Sequence, residues 1–218
     1  MSVALMSGVV LSPLAHAEAA AADPIDTSMR SCLARADRSS PQGQAQCMDT
    51  ARDAWNMAID AALSSIAAHA PDAARRGWQE SHRRWLAWRT QEALLVRAVF
   101  VAKGSPDVIS QANVLLQPVR DRALQLRRIA AQYRPQASTS ASAPAPTQRG
   151  TAPNVRPCTA DASCEHAQFD MNRYARRLRT KLPAQSRIVL TRAQRAWRSY
   201  FEATAALGTE ADRVDLIG

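Results

Sequence analysis

Trp78-Gln79-Glu80-Ser81-His82-Arg83-Arg84-Trp85-Leu86-Ala87-Trp88-Arg89 and Leu190-Thr191-Arg192-Ala193-Gln194-Arg195-Ala196-Trp197-Arg198-Ser199-Tyr200-Phe201 carry one pattern twice. Laid over each other, Trp78 meets Leu190, Arg83 meets Arg195, Trp85 meets Trp197 and Trp88 meets Tyr200. Steps of seven and three place these positions on one face of a helix. So much aromatic area has to be buried against a partner element, and the stretch preceding each copy supplies one.

Before the first copy, Met48, Ala51, Trp55, Ile59, Ala62 and Ile66 keep the three-four spacing of a buried helical face, from near Cys47 to Pro71. Asp72 is suited to cap the signature helix, which runs toward Lys103. With so short a turn between them, the two helices are expected to fold back as an antiparallel hairpin. Gly104 ends the second helix. Ser105-Pro106-Asp107 then starts a third, whose stripe is Ile109, Ala112, Leu116, Val119, Ala123, Leu126, Ile129 and Tyr133. Pro118 inside it is expected to kink or interrupt it. Before the second copy come Phe169, Met171, Tyr174, Leu178 and Leu182, then Pro183 and a helix from about Gln185 to Leu207, capped by Gly208. Asn56 in the first half matches Asn172 in the second.

The expected fold is all-α. It comprises two antiparallel helical-hairpin modules, residues 30–134 with an additional third helix and residues 158–210 without one. A disordered Pro/Ala/Ser linker joins them over 135–157, where composition offers little to bury. Residues 18–29 read as loose, and 32–47 as a loop around Ser39-Ser40-Pro41. A tandem duplication accounts for the repeated order of cysteine pair, helix, proline turn and aromatic helix.

The chain has 218 residues and a formal net charge of +9, almost all of it from arginine. Residues 1–17 read as a signal peptide: an apolar run from Val3 to Leu14, then Ala15-His16-Ala17, although no Lys or Arg precedes the run. The run is too short to span a bilayer. The expected location is therefore periplasmic or secreted, with no transmembrane segment. Cys32, Cys47, Cys158 and Cys164 allow three pairings. Each half owns two cysteines, which favours Cys32–Cys47 and Cys158–Cys164. Zinc is the alternative, weakened because His166 beside Cys164 is the one histidine near either pair.

Nothing points to an enzyme. No His-Glu-x-x-His or Gly-x-Ser-x-Gly pattern occurs, and seven glycines leave little room for a phosphate loop. No catalytic, cofactor-binding or metal site is expected, and His82 reads as structural. Arg83, Arg89, Arg195 and Arg198 have two readings: they lay their stems on neighbouring aromatic faces, which is the preferred one, or they form a partner-facing ridge. Arg173, Arg176, Arg177, Arg179, Lys181, Arg187 and Arg192 make the C-terminal hairpin a basic face. For an exported protein this suits anionic envelope polymers or a membrane surface better than nucleic acid.

Leu190-x-x-Ala193-Gln194-Arg195-Ala196-Trp197 resembles the signature of the LprI-like lysozyme-inhibitor family. Met171-Asn172 and Trp55-Asn56 are similar to that family's Leu-Asn element, and Ser81 through Arg89 resembles the signature again. The family signature thus maps onto Asn56, Arg83, Trp85, Trp88, Arg89, Asn172, Gln194, Arg195, Trp197 and Tyr200, all in structural roles. Ala93 and about Val114 stand where members usually carry a further cysteine pair. The resemblance implies an exported, non-enzymatic binding protein whose partner is lysozyme or another envelope protein. The charge qualifies this, since a basic chain is expected to bind a basic lysozyme weakly and polyanions more strongly.

Overall fold

In a computed structural model, residues 22–102, 107–134 and 162–207 are described, with side chains from 169 onward in the last segment. The expected signal peptide, the linker, Cys158 and the Cys164 side chain lie outside these residues. Every described element is helical: α1 (Pro24–Leu33), a short 3-10 turn (Ala36–Arg38), α2 (Pro41–His69), α3 (Asp72–Ala102), α4 (Val108–Tyr133), α5 (Ala162–Lys181) and α6 (Ala184–Ala205).

Two starts come earlier than the apolar spacing suggests. Asp23 caps α1 by accepting from the Ile25 amide, Pro24 opens the first turn and Asp26 adds a carboxylate there. Residues 24–29 are thus helical, not loose. Ser39-Ser40-Pro41 is a helix start, not a loop centre: Ser40 accepts from the Gly43 amide and Pro41 opens α2. A Cβ on Gly43 would sit 2.9 Å from the Arg38 backbone, so a glycine is required where α2 starts against the 3-10 turn. The Cys32–Cys47 disulfide ties α1 to α2 with Cα atoms 5.7 Å apart. Replacing both cysteines by alanine is expected to cost up to about 3 kcal/mol in the chain-entropy model, read as a lower urea midpoint with an unchanged helical CD spectrum.

Pro118 neither breaks nor ends α4, which continues through it to Tyr133. The carbonyl that proline leaves unbonded belongs to Val114, which is 41% exposed, so water can satisfy it. Asp107 caps this helix by accepting from the Ser110 amide; Ser105 lies outside the described residues.

The helices associate across the chain. α2 has its long interface with α4, and α3 has its long interface with α6; α2 and α3 touch each other much less. One apolar cluster unites Trp55, Ile59 and Ile66 of α2, Trp78 and Trp85 of α3, Leu116, Val119, Ala123, Leu126 and Ile129 of α4, and Tyr200 of α6. The two halves that the sequence separates therefore share a core.

α1 is held over Trp55 by charge. Arg120 and Arg127 of α4 lie over the Trp55 ring at 5.7 and 4.9 Å from its centroid. Arg120 donates to Asp26 at 2.6 Å and Arg127 to Asp23 at 2.6 Å. The hydrogen bonds from Arg120, with its charge and that of Arg30, hold the Asp26 carboxyl below the usual range against the opposing effect of burial. A folded pKa below the unfolded one stabilises the fold at neutral pH, and the contribution fades as pH falls through the folded pKa. Asp26→Asn is expected to flatten the acid limb of a melting-temperature profile between pH 7 and 3, by about 1 kcal/mol or less for one partly buried ion pair near the surface. An acid limb identical to the unaltered protein's would contradict this.

Candidate functional site

α3 and α6 run antiparallel. Gly77 meets Leu207, the Ser81 hydroxyl lies 2.6 Å from Thr204 Oγ1, Arg84 donates to Ser199 at 2.8 Å, and Trp88 stacks on Tyr200. Along α3 the contacting positions 77, 81, 84 and 88 step by four and three, the spacing of a packed helical seam.

At one end of this seam α4 closes over it through Arg122, which is 2% exposed. Its guanidinium donates to Ser81 Oγ at 2.9 Å and to Gln125 Oε1 at 2.7 Å, and lies 5.8 and 5.3 Å from the Trp78 and Tyr200 ring centroids. Thr204 donates its one hydroxyl proton to the Tyr200 carbonyl, so Ser81 donates to Thr204 and accepts from Arg122. The relay runs from α4 through α3 into α6. No carboxylate among the described residues pairs with Arg122, and its Nε has no acceptor. Burial lowers this guanidinium's pKa, partly offset by Tyr200, and burial raises the Tyr200 phenol. His82 stacks on Trp85, and burial, with Arg122 nearby, lowers its pKa. It is part of the packing.

At the other end of the seam lies an open groove of about 1230 Å³ between α3, α5 and α6. Its apolar lining includes Trp88, Leu95, Met171, Leu178, Leu190 and Trp197; Arg177, Lys181, Arg195 and Arg198 edge it. None of these four cations pairs with a carboxylate among the described residues. Both carboxylates at the groove are already engaged, Glu92 by Arg89 and Asp170 by Arg173. Among the described residues no cluster suited to a metal occurs, and no helix is long and apolar enough to cross a membrane.

The signature positions separate into three places. Trp88, Asn172, Gln194, Arg195 and Trp197 all line the groove. Trp85, Arg89 and Tyr200 belong to the seam and core: Arg89 lies 5.9 Å from both the Trp85 and Trp88 ring centroids and donates to the Leu115 carbonyl at 2.7 Å. Burial, with Arg52 nearby, brings its pKa down to about 10, so it stays charged at neutral pH. Asn56 and Arg83 are exposed elsewhere, and Arg83 pairs with Glu80 instead of covering an aromatic ring. Arg195 and Arg198 likewise edge the groove and are not stacked. Phe169 and Tyr174, expected in a buried stripe, are 57% and 58% exposed. Trp197 is only half-buried, stacked on Phe201, whereas its counterpart Trp85 is 3% exposed. Cys32 and Cys47 pair as expected; the Cys158–Cys164 pairing lies outside the described residues.

Residues 32–126, from the disulfide-tied first segment into α4, match the family model described as Lysozyme inhibitor LprI. The chain belongs to one family with an uncharacterized protein from Burkholderia thailandensis, known from a crystal structure. The two are 50% identical with a TM-score of 0.79, over 91% of this chain and 92% of that one. No curated protein matches the chain.

Proposed function

We propose that this protein is an exported, non-enzymatic binding protein of the LprI type, built from two copies of one helical unit, with lysozyme as its family-implied target. The observation that carries the reading is the match of residues 32–126 to the lysozyme-inhibitor family. These residues supply α2, α3 and most of α4, the scaffold on which α6 rests. Lysozymes work through a pair of carboxyl groups in a cleft, and the arginines that edge the groove present the complementary charge at short range. The apolar N-terminal run supports export.

The four groove cations, which have no carboxylate partner among the described residues, favour a second reading, in which the protein binds anionic envelope polymers. One titration separates the two. Clearing of a cell-wall suspension by a basic lysozyme is measured at rising salt with and without equimolar protein, alongside retention on a heparin-like resin. The inhibitor reading expects slower clearing, with an association rate that rises with salt as the repulsion between two positive proteins is screened. The polymer reading expects retention that collapses as salt rises, and unaltered clearing. Unaltered clearing with every lysozyme type tested would overturn the first reading.

A further inference from the structure

The α3–α6 seam is close to two-fold in the positions that the sequence equates. Trp88 stacks on Tyr200, its own counterpart, with ring centroids 5.5 Å apart and planes within 2°. Exchanging each residue for its counterpart converts the Ser81–Thr204 contact at one end into Ala193 and Glu92 at the other, and both of these line the groove. The two ends differ in one respect. At the Ser81 end α4 lies over the seam, with Arg122 and Gln125 reaching into it. At the Ala193 end no such helix occurs among the described residues, and the groove occupies its place. This explains why Trp85 is buried and Trp197 is not.

We propose that the groove is a docking site for an acidic amphipathic α-helix of a partner protein, lying on α3, α5 and α6 as α4 lies at the opposite end of the seam. The volume has room for roughly three turns of helix. The floor of Trp88, Leu178, Leu190 and Trp197 takes an apolar stripe at three-four spacing. Arg177, Lys181, Arg195 and Arg198, with no carboxylate partners among the described residues, select glutamates and aspartates on the flanks of that stripe. A second copy's α4 fits poorly: it carries Arg120, Arg122, Arg127 and Arg128 against Asp121, and its apolar face is already buried on α2. A polyanion would satisfy the cations and leave the apolar floor uncovered. The inference rests on the binding-protein reading but not on lysozyme as the partner.

The test uses the full chain with its disulfides intact and a fluorescein-labelled synthetic helix with leucines at three-four spacing and glutamates elsewhere. Anisotropy is read at physiological salt. Two control peptides replace the leucines by serine or the glutamates by lysine. Two variants alter the groove: Arg195→Glu with Arg198→Glu, at exposed unpaired positions, and Ala175→Trp, which fills it. The expected result is binding of the acidic amphipathic peptide alone, weakened at least tenfold by either variant, with melting temperatures unchanged. Equal binding of the serine peptide would mean a surface for polyanions, and equal binding of the lysine peptide would remove the role of charge. Concentration-dependent self-association abolished by Ala175→Trp would make a second copy the occupant. Any of these, or no effect of either variant, overturns the proposal. The assay contains neither lysozyme nor cell wall, so its failure is distinct from failure of the clearing assay.

Discussion

Trp85→Ala is expected to cost about 3–5 kcal/mol of folding stability, the usual range for emptying a buried tryptophan site, while Trp197→Ala costs about 1–2 kcal/mol for a half-buried ring. The sequence equates these residues, each two positions after a matched arginine (Arg83 and Arg195). The difference arises from packing alone. Trp85 lies 3% exposed in the shared core, with His82 stacked on it and Arg89 alongside, and Arg89 is anchored on the α4 backbone. Trp197 meets Phe201 and the open groove. Urea denaturation of both variants measures the contrast. Equal losses would mean that the two ends of the seam are equally covered.

Arg122→Ala is expected to cost about 3 kcal/mol, and Arg122→Met to recover at least half of that. Alanine leaves a cavity between Trp78 and Tyr200 and takes donors from Ser81 and Gln125. Methionine refills most of the space, keeps contact with both rings, and removes a buried charge that has no carboxylate partner among the described residues. If methionine is as damaging as alanine, the hydrogen-bond relay through Ser81 and Thr204 holds the three helices together more than packing does. The comparison is made by urea denaturation, with near-UV CD to report the aromatic surroundings.

Much of this fold was legible in residue spacing. The stripes of α2 and α4 predict the burial of Trp55, Ile59, Leu116 and Leu126, because a three-four repeat specifies one face without reference to its partner. Arg122 was missed although it lies at a stripe position between Val119 and Leu126. An arginine is ordinarily assigned to solvent, and the Ser81 and Gln125 acceptors together with the Trp78 and Tyr200 rings make its burial tolerable. The partner of each helix was also illegible. Short connections favour neighbours in the chain, yet α2 pairs with α4 and α3 with α6, because Gly77, Ser81, Trp88 and their α6 partners form a seam that no single helix reveals. Arg195, Gln194 and Trp197 stood out as signature residues. That they converge with Asn172 on a groove depends on α5 lying beside α6, which the 135–157 stretch does nothing to predict.

Cutting the chain between α4 and α5 tests the shared core most directly. A protease site is introduced near residue 150, the protein is cut without denaturant, and the product is passed over a sizing column. If α6 is bound to α3 through Ser81–Thr204 and Trp88–Tyr200, the two fragments elute together at the size of the uncut chain and separate only in urea. Separation in plain buffer, each fragment retaining its own helical spectrum, would contradict the single core and with it the groove between α3, α5 and α6.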